Sequence, residues 1–384
     1  MAGYLFSIGS KTTDPIEVIR ECAASGFYST KLSSLSPTVF EGTLADYISM
    51  KPGDNVYFFC QRKIYGIGEL VNVGPDCKYS NFPGACALKG YSATALNSQF
   101  LVDKENDPNL YRWLCLFKGA PYFFEDGIDI DEILRYKPNT FKMLRAFWKL
   151  SFVKIDDEEN QSLKEIVLLR HQTNIAKKEA IMTESNSFHD FLRKKDLKPY
   201  LISIEDMLGT VTDGSKVKHE YALEANVVYD LIHDRISHLG HWDYVARQVI
   251  ASPFKPIDYI DKIDVFANKY LDVSGTKIVS NYLVTELKKD KASIETIDQV
   301  MKYVDWVCTE YAYGDYGAIK ACIIAAEFSE DMSDYLEKYG KRQYMLGSHP
   351  AVNKSWSDII LLKYEYSGGK IIYKMANPYE KLIP

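Results

Sequence analysis

The C-terminal half of the chain contains the pattern that most constrains its fold, because the hydrophobic period there changes twice within about sixty residues. Residues 264–270 and 277–288 alternate as strands do, and residues 271–275 between them carry a turn signal. Apolar residues then recur at helical spacing over 294–307, and the run 318–326 is typical of a buried strand. The pattern predicts a β-hairpin followed by a helix and a further strand.

Two acidic residues and a lysine occupy fixed places in this hairpin. Asp264 belongs to the first strand, whereas Glu286 and Lys288 belong to the second, where alternation places both side chains on one face. Hydrolysis of a phosphodiester at neutral pH calls for a divalent cation, and Mg²⁺ prefers oxygen ligands. The two carboxylates and the carbonyl of Leu287 would supply such ligands, and Lys288 would orient water or stabilise developing charge. The pattern therefore indicates a metal-dependent phosphodiesterase.

Two points qualify this interpretation. A Glu-x-Lys tripeptide alone is a weak signal, and an exposed ion pair on a strand is the more common explanation for it. The ordered set is more specific, because Gln299 and Tyr303 follow on one face of the predicted helix. Asp258 and Asp261 precede Asp264 closely, so the identity of the first acid stays open.

Five short motifs carry a resemblance to a known family: Ala-Leu-Glu at 222–224, Ile-Asp-Val at 263–265, Thr-Glu-Leu-Lys at 285–288, the helix 299–306 and the strand 319–325. In these motifs, residues 215–384 resemble the PD-(D/E)XK nuclease superfamily, and within it the NucS-like endonucleases. The resemblance implies a restriction-endonuclease-like mixed sheet of four strands flanked by helices. It also implies dependence on Mg²⁺ or Mn²⁺ and cleavage of DNA.

The same resemblance implies roles for individual residues. Asp264 and Glu286 would be metal ligands, and Lys288 would be the catalytic lysine. Gln299 and Tyr303 would support the site from the following helix.

An acid on the first helix of this region would complete the set. Glu224 matches that position and would contact the metal through water, and Glu220, one helical turn earlier, is the alternative.

Residues 1–155 show a different sequence pattern, in which short strands alternate with turns. A turn at 50–55 leads into a strand at 56–60, and a second strand at 64–73 contains Gly66 and Gly68, which indicates curvature or the close approach of another group. This pattern resembles the PUA-like superfamily, especially its EVE-type members. The resemblance implies a small curved β-barrel with a pocket that reads a modified or flipped base.

Aromatic side chains are the candidates for stacking on such a base. The candidate rings are Phe6, Tyr65, Trp113 and Trp148, and the alternative for each is a place in the barrel core. For the whole domain, the alternative is a scaffold or dimerisation barrel.

Composition limits the remaining possibilities. The formal net charge of −6 means that contact with DNA must come from local basic clusters, such as Lys289 with its neighbours Lys288 and Lys291. No stretch of about twenty apolar residues is present, so no membrane span is expected. The N-terminus lacks the pattern of a signal peptide, and seven scattered cysteines indicate reduced thiols in a cytoplasm.

The sequence thus predicts a multidomain protein of the α+β or α/β class. An EVE-type reading domain at 1–155, a helical connector at 156–214 and a nuclease domain at 215–384 would form a Mg²⁺-dependent endodeoxyribonuclease. The pairing of domains favours modification-dependent restriction of foreign DNA, with a homodimer for cutting both strands. The alternatives are a repair endonuclease for mismatched or structured DNA and a non-catalytic nucleic-acid-binding protein.

Overall fold

The computed structural model describes residues 1–9, 14–96, 99–103, 107–146, 152–251 and 261–376. The chain divides into two compact units, Met1–Ser203 and Ile204–Pro384. This division falls inside the predicted connector 156–214, so most of the connector belongs to the first unit. None of the helices in the described ranges combines the length and apolar character that crossing a bilayer requires. All seven cysteines are buried thiols outside any disulfide.

The first unit contains strands that are mostly short and helices placed between them. Its strands are β1 (Gly3–Ser7), β2 (Phe27–Ser29), β3 (Asn55–Cys60), β4 (Lys63–Leu70), β5 (Lys78–Ser80), β6 (Trp113–Gly119), β7 (Phe123–Phe124), β8 (Ile128–Asp129), β9 (Phe152–Ile155) and β10 (Ile181–Met182). Its helices are α1 (Pro15–Ser25), α2 (Pro37–Ile48), α3 (Ala93–Leu96), α4 (Ile130–Tyr136), α5 (Asp157–Arg170), α6 (Gln172–Lys177) and α7 (Ser187–Arg193), with 3₁₀ turns at Leu144–Ala146 and Lys198–Tyr200.

An eight-stranded sheet forms the centre of this unit. Its main path runs β2-β6-β4-β3-β1-β9, with β5 paired to β6 and β8 paired to β4. The pair β1–β3 is parallel and the other pairs are antiparallel. The sheet curls into a half-barrel. The predicted curved sheet is therefore confirmed, although β2 and β9 end the sheet in the described residues and do not close it into a barrel.

The glycines of β4 mark close packing. A Cβ atom at Gly66 would lie 2.6 Å from Cδ1 of Tyr57, and one at Gly68 would lie 3.0 Å from Cδ2 of Phe117. The close approach that the sequence predicted at these positions is therefore present.

Two of the proposed base-stacking rings lie in the core of the half-barrel. Phe6 is fully buried and stacks on Tyr28 at a centroid distance of 4.5 Å. Trp113 is also buried and meets Phe40 edge-on at 5.0 Å. These rings are packed on other side chains, so their assignment to base stacking is corrected to a core role. Trp148 lies outside the described residues.

Tyr65 is covered by the backbone of Gly127. A Cβ atom at Gly127 would lie 2.5 Å from Cζ of the Tyr65 ring, and Tyr65 is 5% exposed. A base has no free ring face to stack on at Tyr65, so this assignment is corrected in the same way.

Replacing Gly127 by alanine is expected to destabilise the first unit by about 1–3 kcal/mol, because the methyl group would press on a buried ring. Urea unfolding of the whole chain measures the change. Gly90→Ala is the matched control, since a Cβ atom there would meet nothing within 4 Å. Equal effects of the two substitutions would show that Tyr65 yields to the added methyl group.

The second unit contains longer strands. Its strands are β11 (Thr212–Asp213), β12 (Lys216–Val217), β13 (Tyr244–Ile250), β14 (Lys262–Val273), β15 (Thr276–Ala292), β16 (Ile319–Phe328), β17 (Arg342–Leu346), β18 (Val352–Trp356), β19 (Ile359–Ser367) and β20 (Lys370–Met375). Its helices are α8 (Ile204–Val211), α9 (Glu220–Ile232), α10 (Ile294–Glu310) and α11 (Met332–Tyr339), with a 3₁₀ turn at Tyr316–Ala318.

A mixed sheet with the order β13-β14-β15-β16-β19-β20 organises this unit. The pairs β15–β16 and β16–β19 are parallel, whereas the others are antiparallel. Helix α9 packs on β13 to β15, and α10 packs on β15 and β16. The predicted mixed sheet with flanking helices is confirmed, but over the described residues it has six strands where four were expected.

The predicted hairpin is formed by β14 and β15. Its turn is tighter than the predicted 271–275, since the strands continue to Val273 and resume at Thr276. Ser274 and Gly275 have φ angles of 55° and 85°, which is the backbone of a two-residue type I′ turn.

The elements after the hairpin also agree with the prediction. Helix α10 begins after Ser293, which forms a capping box with Thr296. The predicted strand 318–326 corresponds to β16, which is buried over most of its length. The chain therefore runs from a hairpin through a helix to a strand, and this order positions the polar residues described next.

Candidate active site

The hairpin brings the two predicted acids and the lysine together. The register of β14 and β15 places Asp264 across from Glu286. Oδ2 of Asp264 accepts a hydrogen bond of 2.9 Å from the backbone N–H of Leu287. The ammonium group of Lys288 lies 2.6 Å from Oε1 of Glu286. The contact shows that Glu286 and Lys288 share one face of β15.

Burial gives these groups unusual acid–base properties. Glu286 is 1% exposed. Burial raises the pKa of Asp264 well above its usual range, and the carboxylates of Glu286 and Glu224 raise it further. Burial also raises the pKa of Glu286, although Lys288 opposes the shift. Desolvation lowers the pKa of Lys288, but Glu286 and the other acids raise it more, so that the net shift is upward. When both are ionised, Asp264 and Glu286 carry more negative charge than Lys288 offsets.

The oxygen atoms of the site fit a hard divalent cation. Oε2 of Glu286 is buried and has no hydrogen-bond partner among the residues that the structure describes. Because N–H and C=O of one strand residue point to the same side, the carbonyl of Leu287 faces the side on which its N–H bonds Asp264. In the described ranges, no group of three or more His, Cys, Asp and Glu side chains forms a ready-made metal cage. Mg²⁺ commonly takes only one or two carboxylates, with water and substrate phosphate completing its shell. The residues therefore fit Mg²⁺ or Mn²⁺.

Glu224 of α9 stands beside Asp264. It is 2% exposed, and both of its oxygens are engaged. Oε1 pairs with Nε of Arg247, and Oε2 accepts a hydrogen bond of 2.5 Å from the amide of Gln248. The same amide nitrogen lies 3.3 Å from Oδ1 of Asp264.

Glu220, the alternative acid on α9, stands nearer to the second acid. Its Oε2 accepts a hydrogen bond of 3.3 Å from the backbone N–H of Lys289, and its charge contributes to the raised pKa of Glu286. Lys289 borders the site through this backbone hydrogen bond. Its side chain is half-exposed and lies 3.3 Å from Asp290. The two helix acids thus approach different strand acids, Glu224 that of β14 and Glu220 that of β15.

Gln299 and Tyr303 reach the site from α10. The amide of Gln299 donates to the hydroxyl of Tyr303 at 2.8 Å, and Tyr303 is 3% exposed. Burial raises the pKa of Tyr303, with further contributions from Glu286 and Asp264. The phenol therefore stays protonated and near the acids. Asp261 also contributes to this shift, whereas Asp258 lies outside the described residues.

Sequence reasoning missed Arg247 and Gln248. Both lie on β13, where they interrupt an otherwise mostly apolar strand and contact Glu224. Two adjacent polar residues within such a strand were the signal that could have indicated them.

No protein-family model and no curated protein matches this chain. Among solved structures, it is similar to a repair endonuclease from Pyrococcus abyssi, with 23% identity over 37% of this chain and 48% of that chain, at a TM-score of 0.21. It is also similar to EndoMS in a complex with dsDNA, with 25% identity over 24% of this chain and 31% of that chain, at a TM-score of 0.17. A protein from Pseudomonas putida shares 15% identity over 44% of this chain and 99% of its own, at 0.26.

These likenesses are partial. The matched region spans less than half the length of either endonuclease, and all three TM-scores lie far below 0.5. They establish neither a shared fold nor a shared activity, so the function has to be inferred from the site itself.

Proposed function

We propose that the second unit is a metal-dependent endonuclease that hydrolyses phosphodiester bonds in DNA. The observation that carries the proposal is the fully buried Glu286 beside the partly buried Asp264, with the ammonium group of Lys288 at 2.6 Å from Glu286. Burying two carboxylates side by side is unfavourable unless a cation compensates them. A structural ion pair would not need the second acid or an unpartnered carboxylate oxygen.

The residues of the site would have different catalytic roles. Asp264, Glu286 and the carbonyl of Leu287 would hold Mg²⁺ or Mn²⁺. The cation would lower the pKa of a bound water and neutralise charge on the phosphate. Lys288 is 29% exposed, so its ammonium group can reach a phosphate at the surface and stabilise charge that develops there. Tyr303, held by Gln299, would donate a hydrogen bond in the site.

Glu224 and Lys289 would have auxiliary roles. Glu224 is buried with both oxygens engaged, so it would act on the metal through its neighbours or through water. Lys289 is exposed enough to contact the DNA backbone, where a lysine adds affinity without sequence preference.

Two classes of DNA substrate are proposed. Modified DNA would make the protein a restriction enzyme in defence, and its first unit, which resembles the PUA-like superfamily, would read the modified base. Mismatched or branched DNA would make it a repair enzyme. Phe6, Tyr65 and Trp113 are buried, so none of these three described rings offers a stacking platform for a flipped base, and they do not favour the first class over the second. A homodimer would supply two sites for cutting two strands.

A cleavage panel tests the proposal. Unmodified phage DNA, the same DNA with hydroxymethylated cytosine, and mismatched and branched duplexes are incubated with the protein in Mg²⁺, Mn²⁺ or EDTA. We expect cleavage of at least one DNA with either metal, none in EDTA, and none by Asp264→Asn. Preference for the modified DNA would identify a restriction enzyme, whereas cutting of unmodified structured DNA would identify a repair enzyme. Binding without cleavage in either metal would favour the non-catalytic alternative.

A further inference from the structure

Gln248 has an unusual backbone conformation at the position across from Asp264. The register on both sides of Gln248 places it across from Asp264 on the neighbouring strand. Its φ angle is 51°, in the left-handed region that side chains with a Cβ atom rarely adopt. The regular pairing of β13 with β14 is interrupted at this position. Glycine would adopt this backbone without strain. The backbone conformation therefore does not explain a glutamine here, and the contacts of its side chain have to be considered.

The side chain of Gln248 joins two acids that belong to different elements. Its amide nitrogen lies 2.5 Å from Oε2 of Glu224 on α9 and 3.3 Å from Oδ1 of Asp264 on β14. An amide NH₂ group carries two hydrogens, so one nitrogen can donate to both carboxylates. Two carboxylates side by side repel each other, and a shared donor between them offsets that repulsion.

The orientation of Asp264 is thereby fixed at both oxygens. The N–H of Leu287 holds Oδ2 from the side of β15, and Gln248 holds Oδ1 from the side of β13. Arg247 takes the other oxygen of Glu224, so that the acid which shares the amide of Gln248 is itself immobilised. A carboxylate with both oxygens held cannot rotate away from a cation bound in front of it.

We propose that Gln248 is a positioning residue, which through one amide group links Glu224 to Asp264 and sets the Asp264 carboxylate for divalent-cation binding. This inference rests on the proposed function, because it concerns the same site. Hydrogen-bond partners of metal ligands typically change metal affinity or activity by about 10–100-fold when they are removed. The loss expected for Gln248 lies in that range.

Two substitutions separate this role from a structural one. Gln248→Gly removes the donor shared by the two carboxylates and also relieves the left-handed backbone, so we expect the two effects to offset and the melting temperature to stay within about 2–4 °C of wild type. Gln248→Met keeps the length of the side chain and removes both donors. For both variants we expect Mn²⁺ to bind about 10–100-fold more weakly in titration calorimetry, with cleavage restored in part by excess metal.

Ser274→Gly is the matched control. Ser274 has a φ angle of 55° in the exposed turn between β14 and β15, so glycine relieves a similar backbone there. Because no donor between two acids is lost at Ser274, we expect its melting temperature to rise by about 2–4 °C, while Mn²⁺ affinity and cleavage stay at the wild-type level.

The outcomes distinguish this inference from the proposed function. Wild-type Mn²⁺ affinity in both folded Gln248 variants would overturn the positioning role and leave the endonuclease proposal intact. Weaker Mn²⁺ binding in both variants, with no DNA cleaved by the wild type, would support the positioning role and overturn the endonuclease. A wild-type protein that binds no Mn²⁺ would overturn both.

Discussion

Replacing Lys288 by methionine is expected to lower the rate constant of DNA cleavage by about 10²–10³-fold, the usual loss when one charge-stabilising group is removed from an active site. Methionine preserves most of the aliphatic stem and removes the charge. The ammonium group lies 2.6 Å from Glu286 and is partly exposed, which is where a scissile phosphate would approach the acids. Single-turnover cleavage with saturating protein in Mg²⁺ measures the rate constant apart from DNA affinity.

Lys277→Met is the matched control for this experiment. Lys277 lies on the same strand as Lys288, but at its exposed end next to the turn. The substitution removes the same charge from the same element, so cleavage should stay within about twofold of wild type if the location of Lys288 matters. Equal losses in both variants, or a change confined to DNA affinity, would reduce Lys288 to a general contact with the DNA backbone.

Glu286→Gln is expected to abolish cleavage and to stabilise the metal-free protein. Loss of a metal ligand forfeits several kcal/mol of charge stabilisation, which corresponds to about 10³-fold or more in rate. Glutamine has nearly the same shape as glutamate, and it removes the buried one of two adjacent negative charges. Its oxygen can still accept the hydrogen bond from Lys288. Its amide would replace Oε2, which has no hydrogen-bond partner. Stability and activity should therefore change in opposite directions.

The effect on stability should depend on pH. Burial raises the pKa values of Glu286 and Asp264, so the folded state binds more protons than the unfolded state above about pH 4. The free energy of unfolding of the metal-free protein therefore falls as pH rises through the unfolded pKa values toward the folded ones. Glu286→Gln removes one of the two groups whose ionisation causes this fall in the free energy of unfolding. The variant should therefore melt higher than wild type at pH 8 in EDTA, and the difference should shrink toward pH 4.

Calorimetry with and without metal tests both halves of this prediction. Excess Mg²⁺ or Mn²⁺ should raise the melting temperature of the wild type, because it binds the folded state, and should leave Glu286→Gln nearly unchanged. A variant that melts lower than wild type at every pH would show that Glu286 stabilises the fold. Equal stabilisation of both proteins by metal would place the cation elsewhere.

The hairpin, α10 and β16 could be predicted because their signals are local. Alternation of side chains identifies the strands, and the change of period after Lys288 identifies the helix. The full extent of both sheets could not be predicted. Whether β2 and β9 end a sheet or close a barrel depends on pairing between distant segments. The outer strands β13 and β20 pair with their neighbours in sequence, β14 and β19, but β19 and β20 join the second sheet only through the long-range parallel pairing of β16 with β19.

The residues of the candidate site also differ in whether local sequence signals could predict them. Asp264, Glu286 and Lys288 could be proposed because a hairpin register brings them together. Gln248 carried only the weaker signal of a polar pair in a mostly apolar strand, and the link that it makes between two acids depends on a left-handed backbone that the sequence does not show. Tyr65 was proposed to stack on a base, with the core as the alternative, and its cover comes from Gly127, sixty-two residues further along the chain. Burial by a distant glycine has no signal in the sequence around the ring.

Anomalous diffraction at the manganese edge, from crystals of the wild-type protein soaked in Mn²⁺, tests the central claim most directly. We expect a peak between the carboxylates of Asp264 and Glu286, within coordinating distance of the Leu287 carbonyl, and its loss in crystals of Glu286→Gln. A peak bound by other residues, with none between these two acids, would contradict the assignment of this site as the metal centre of a nuclease.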